Sequence, residues 1–163
     1  DKGANVNVAC NDGYTPLMSA SINAHFDIVK VLVDKGANLE AATDYGGTSL
    51  MVASEKGHLG IVTFLVGKGA NLEATDEDGN TSLVLASRRG NWDIVSFLVD
   101  KGANVDAASS QENGYTFLMK ASRRGNLDTV KFLVDKGVNV NAANNEGKTS
   151  LVFASEGGHL DIV

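Results

Sequence analysis

The chain has 163 residues, 43% of them hydrophobic, and a formal net charge of −6. That apolar fraction supports a folded core and argues against wholesale disorder, while the acidic balance argues against nucleic acid as a partner. No apolar stretch reaches the roughly 20 residues that a bilayer-spanning helix needs, so no membrane partner is expected.

Other sequence-wide features set the compartment. A single cysteine, Cys10, excludes an intrachain disulfide and fits a reducing intracellular compartment such as the cytoplasm. The first residue is Asp1 and not Met, and no signal-peptide pattern follows, so a processed or excised piece of a longer chain is expected.

Residues 1–9 read as the tail of a repeated unit, and the first complete unit follows. Gly13 makes a tight turn. Thr15 is suited to an N-cap, and Pro16 to the first helical position, where its missing N–H costs nothing. Leu17 to Ala20 predict a helix of about two turns. Ala24 and His25 break it. Phe26, Ile28, Val29, Leu32 and Val33 carry the 3.6-residue period of a second helix, which Gly36 ends. Residues 37–42 run extended into the next turn.

The unit then recurs. Thr15, Thr48, Thr81, Thr116 and Thr149 each stand two residues before a leucine, at spacings of 33, 33, 35 and 33. Gly3, Gly36, Gly69, Gly102 and Gly137 keep the same rhythm, as do Ala20, Ala53, Ala86, Ala121 and Ala154. A fixed period of this length predicts stacked helix–turn–helix units, because neither helix buries its apolar stripe alone. Four full units are expected, with residues 144–163 as a partial last one, all in a single domain over 1–163. The odd spacing arises between Gly102 and Thr116, which are 14 residues apart where the other four intervals are 12. Two extra residues in the loop 106–114, around 109–111, are therefore expected. They keep the side-chain parity of a hairpin and lengthen its tip by about 3.4 Å. Neutral insertion and a binding role are both open for them.

The stretch GYTPLMSASINAHFDIVKVLVDKGANLEA, beginning at Gly13, resembles an ankyrin repeat, whose pattern is G-x-T-P-L-H-x-A, then G-H, then I-V-x-x-L-L-x-x-G-A-D-x-N. The resemblance covers essentially the whole chain. It implies an all-α ankyrin-repeat solenoid with hairpin-like loops, and partner binding on the concave face of the first helices. The departures are specific. Met18, Met51, Val84, Met119 and Val152 replace the family's His, so its hydrogen bond to the capping Thr is expected to be missing. Ser49, Ser82, Phe117 and Ser150 replace the Pro, and Asn38, Asn71, Asn104 and Asn139 replace the loop Asp. Gly57, Gly90, Gly125 and Gly158 mark a positive-φ turn between helices; Ala24 holds that place in the first unit, and is expected either to share the strained conformation or to shift the turn and His25.

A search for chemistry finds no site. His25, His58 and His159 hold the family's Gly-His position and are expected to be structural; no His-x-x-x-His or Cys-x-x-Cys spacing supports a metal. Cys10 has no base adjacent in sequence, and no P-loop or dinucleotide fingerprint is present. The acidic residues at 76–78 fall on a loop tip. No catalytic residue, metal or cofactor is expected, and the chain is not expected to be an enzyme. Trp92 is expected to pack at the start of a second helix. Tyr14 and Tyr115, at a position shared with Gly47, Asn80 and Lys148, are expected to be exposed, either as contact anchors or as covers of the hairpin.

One hexapeptide, ASRRGN, occurs at 86–91 and again at 121–126. Seven residues past each Thr lie Ile22, Glu55, Arg88, Arg123 and Glu156; eight past lie Asn23, Lys56, Arg89, Arg124 and Gly157. Stacking predicts ion pairs Glu55–Arg88 and Glu156–Arg123, and leaves Lys56, Arg89 and Arg124 as an unpaired basic stripe beside the acidic tips Asp44, Glu77, Asp78, Glu112 and Glu146. The expected function is a protein–protein interaction scaffold that takes an acidic protein or peptide, with Tyr14, Lys56, Arg88, Arg89, Tyr115, Arg123 and Arg124 in contact. A spacer segment of a longer array, or a non-catalytic accessory region of an enzyme, are the alternatives. No polar capping unit is visible at either end, so frayed ends or end-to-end association are expected.

Overall fold

The structure, a computed structural model, describes residues 3–105 and 113–163. Among these residues the chain forms nine helices. They are α1 (Pro16–Ile22), α2 (Phe26–Asp34), α3 (Ser49–Lys56), α4 (Leu59–Gly67), α5 (Ser82–Arg89), α6 (Trp92–Asp100), α7 (Phe117–Arg123), α8 (Leu127–Asp135) and α9 (Ser150–Glu156). The lengthened loop lies outside the described residues, Glu112 included, except for Asn113 and Gly114.

Two compact units emerge, Asp1–Leu98 and Val99–Val163. In the first unit α1 packs on α3 and α3 on α5, while α1 also packs on α2 and α3 on α4. Leu17, Met18, Val29, Leu50, Met51, Val62 and Leu65 are sealed between these helices. In the second unit α7 packs on both α8 and α9, around Leu118, Met119, Leu133 and Phe153.

Local chemistry explains where the first helices start. Thr15, Thr48 and Thr116 sit in extended backbone, and each hydroxyl accepts the N–H three residues on, at 3.3, 3.4 and 3.2 Å. The expected loss of the reciprocal bond is corrected by the structure. The Met18, Met51 and Met119 sulfurs take the amides of those threonines at 3.4, 3.5 and 3.5 Å. A thioether is a weak acceptor, but it reaches the place a His would occupy while filling apolar space. Val84 has no such atom, so Thr81 makes only the forward bond, at 3.4 Å.

The turn between helices needs a left-handed residue. Gly57, Gly90, Gly125 and Gly158 have φ of 82°, 79°, 71° and 72°. Ala24 adopts it too, at φ 58°, a strain on the order of 1 kcal/mol for a residue with a Cβ. The turn does not shift: His25 has ψ 70° and His58 has ψ 69°.

The loop tips stack by backbone bonds, Asp44 N–H to the Asp12 carbonyl at 3.2 Å and Glu77 N–H to the Tyr45 carbonyl at 3.0 Å. Glycine makes that approach possible. A Cβ on Gly13 would lie 2.8 Å from the Thr43 Cα, and one on Gly46 would lie 2.9 Å from the Asp76 Cα. Asn38, Asn71 and Asn139 fold the preceding loop by accepting, through Oδ1, the amide two residues on at 3.0, 2.9 and 3.0 Å. That local bond accounts for asparagine at this position.

Candidate functional site

The candidate surface of the first unit is built on the exposed sides of α3 and α5. Val52 and Lys56 stand four residues apart on α3, and Leu85 and Arg89 do the same on α5, so each pair shares a face. Val52 and Leu85 are half-buried; Lys56, Arg88 and Arg89 are exposed in the last turns. Cations there sit against the negative ends of the two helix dipoles.

Arg89, expected to be unpaired, engages Glu55: its Nε and Nη2 donate to the same carboxylate oxygen at 3.1 and 2.5 Å. Arg89 therefore projects toward α3. Arg89 is thus not unpaired, and Arg124 is not without a partner either. With 61% and 30% of the two side chains exposed, the Glu55–Arg89 pair contributes at most about 1 kcal/mol.

Beneath the cations, the carbonyls that end α1 and α3 are satisfied from the next repeat. His58 Nε2 donates to the Ile22 carbonyl at 3.0 Å, and Asn91 Nδ2 to the Ser54 and Glu55 carbonyls at 2.8 and 3.1 Å. These bonds answer the orphaned acceptors of a helix C-terminus. The Gly-His position is therefore occupied in holding helix ends. At the other edge, Asp44, Glu77 and Asp78 are exposed on the tips as expected, with Tyr14 38% and Tyr45 63% exposed. Asp76 is different. Its carboxylate accepts the Asn80 amide at 2.7 Å and closes the tip. Tyr45, Val52 and Leu85 were missed by sequence reasoning. The signal for Tyr45 was its place beside Asp44 at a tip; for the other two it was their spacing of four from Lys56 and Arg89.

In the second unit Arg123 and Arg124 are exposed at the end of α7, and Glu146 is exposed on its tip. Glu156 does not pair with Arg123. It accepts from Lys148 Nζ at 2.8 Å, because Lys148, beside the capping Thr149, reaches along α9. That hydrogen bond and the carboxylate charge raise the Lys148 pKa above its ordinary value. Arg123 instead contributes its backbone carbonyl, which His159 Nε2 meets at 3.2 Å. Tyr115 departs from the expected exposure. Its ring is half-buried with its centroid 4.9 Å from that of Phe153. Phe153 holds the position of Val52 and Leu85, yet only 2% of it is exposed. Lys148 also lies over its ring, 5.7 Å from the centroid. Trp92 begins α6 as expected but is half-buried, not sealed.

No curated protein matches the chain. Three overlapping stretches, residues 1–76, 42–109 and 83–163, match the family model described as ankyrin repeats. Those matches run from end to end of a chain whose described residues are stacked pairs of short helices, so the chain belongs to the ankyrin repeat family, whose repeats are generally protein–protein interaction modules and typically non-catalytic.

Proposed function

We propose that the chain is an interaction scaffold that holds an acidic protein segment along α3 and α5 of its first unit. The observation that supports this is the exposed trio Lys56, Arg88 and Arg89, at the ends of two packed helices and one turn beyond half-buried Val52 and Leu85. The guanidinium fork meets carboxylates bidentately, and the two apolar side chains offer a partner a place to bury one of its own. Tyr14 adds an amphipathic contact at the tip edge. Arg123 and Arg124 offer the same chemistry on the second unit, with Tyr115 held against Phe153 rather than presented. The free, exposed thiol of Cys10 fits work in a reducing compartment.

An immobilised array of acidic and neutral peptides tests this reading. The chain is expected to retain a subset of the acidic peptides, more weakly as salt is added, because exposed charges are screened over about 10 Å at 0.1 M. The double variant Arg88→Glu/Arg89→Glu should release them while helicity and melting hold. Retention unaltered by the reversal would remove the site. No saturable binding by the unaltered chain would favour a spacer.

A further inference from the structure

Glu55 is held from the next repeat at its main chain and at its side chain. Its carbonyl accepts Asn91 Nδ2 at 3.1 Å, and the same amide group reaches the Ser54 carbonyl at 2.8 Å. Its carboxylate meets Arg89 through one oxygen only, Oε1, which takes Nε at 3.1 Å and Nη2 at 2.5 Å. Asn91 therefore fixes the end of α3 without help from the Glu55 side chain. With 61% of Arg89 exposed, the side-chain pair adds little to the stability of the fold.

The geometry of the pair decides what is left over. A guanidinium carries five N–H donors in one rigid plane. Glu55 covers the edge formed by Nε and Nη2. The other edge, formed by Nη1 and the second Nη2 hydrogen, bonds to nothing among the described residues. Arg89 is thus ordered and still has two parallel donors to offer. An arginine that is already ordered has less rotamer freedom to lose when a ligand arrives. Lys56 gives the contrast. It holds the equivalent place on α3, eight past its Thr, but the residue of the preceding repeat that corresponds to Glu55 is Ile22. Ile22 offers no carboxylate, so nothing orders Lys56 in this way.

We infer that Glu55 is a positioning residue: it holds Arg89 by the Nε edge so that the Nη1–Nη2 edge meets a carboxylate of the partner, with Lys56 beside it as a second charge. The inference rests on the reading of α3 and α5 as the face for an acidic segment. Glu55 is itself an anion at a place meant for anions, and this gives its removal a telling sign. As a bare charge it would repel the partner, and as a competitor it would occupy the arginine. On either account its removal strengthens binding. As a positioning residue its removal weakens binding, because Arg89 loses its orientation.

Fluorescence anisotropy of a labelled acidic peptide retained by the array, titrated with the whole chain, tests this. Glu55→Ala should weaken binding about fivefold, although it deletes a negative charge. Glu55→Gln keeps an oxygen for Nε and Nη2, and should bind at least as tightly as the unaltered chain. Arg89→Lys keeps the charge and can still pair with Glu55, but it presents no second edge, so it too should weaken binding about fivefold. In NMR spectra of the guanidinium groups, added peptide should move the Arg89 Nη signals and leave the Nε–H signal in place. Binding by Glu55→Ala that equals or exceeds that of the unaltered chain overturns the inference. So does unaltered binding by Arg89→Lys, or an Nε–H signal that the peptide displaces. If Arg88→Glu/Arg89→Glu still releases the peptide in that case, the acidic-segment reading stands without Glu55. An unaltered chain that retains no acidic peptide removes both.

Discussion

The two units use one repeat for different surfaces. In the first, α3 and α5 carry Val52 and Leu85 four past the capping Thr, half-buried and open beside Lys56 and Arg89. In the second, α9 carries Phe153 there, shut beneath Tyr115 and Lys148, with Lys148 tied to Glu156. The helices start and stop by the same chemistry in both. Surface character therefore rests on a few side chains that the fold tolerates in either form, as expected when a binding surface is laid over a repeating scaffold.

The largest effect should come from exchanging those side chains. Phe153→Ala should destabilise the chain by about 3–5 kcal/mol, as for other buried aromatics, and free Tyr115 for chemical nitration. Leu85→Ala, at the equivalent but half-buried place, should cost about 1–2 kcal/mol. Urea unfolding of both variants reads the difference; equal losses would mean that the two surfaces are not built differently.

A second pair concerns the turns. Gly57→Ala should lose about 1 kcal/mol, from left-handed strain and a new Cβ placed 3.0 Å from Asn91 Oδ1. Ala24→Gly should recover a similar amount, about 1 kcal/mol at most, because φ 58° is relieved and nothing else changes. Thermal melts of the two variants should move in opposite directions.

The caps offer a smaller contrast. Thr48→Ala removes the bond from the Met51 amide and should cost about 1 kcal/mol. The Thr149 side chain makes no cap bond, so Thr149→Ala should cost a few tenths of that, about 0.3 kcal/mol. Equal losses in a denaturant titration would assign the effect to threonine's backbone preference instead.

The smallest effect is pH-dependent. The folded state raises the Lys148 pKa, so the stabilisation from its pair with Glu156 is complete below the unfolded lysine value and is lost as pH rises through the folded one. Lys148→Met should accordingly melt lower than the unaltered chain near neutrality, with the gap narrowing in alkaline buffer. A gap independent of pH would place the effect in packing over Phe153.

Much of this was legible in the chain itself, for a physical reason. Thr15, Pro16, Ala24 and Gly36 act on the residues beside them, through a cap, a ring-fixed φ or a left-handed turn, and the period repeats them until the fold is over-determined. Even the strain at Ala24 was readable, from the glycines that replace it one repeat on. The exposed acidic tips followed from turn chemistry in the same way.

The site was less legible, because it depends on rotation about helix axes and on what lies opposite. Arg89 reads as unpaired in the sequence, and only the packing of α5 on α3 brings it to Glu55. Tyr14 and Tyr115 occupy one sequence position, yet Phe153 turns the second into a cover. A methionine read as apolar filling proves to lend its sulfur to a backbone amide. By itself the sequence determined the period, the helix ends and the conformation of the turns, since each follows from neighbours within a few residues. Only the tertiary structure decided which charges meet and which aromatic faces solvent, since those outcomes depend on side chains from separate repeats arriving at the same place.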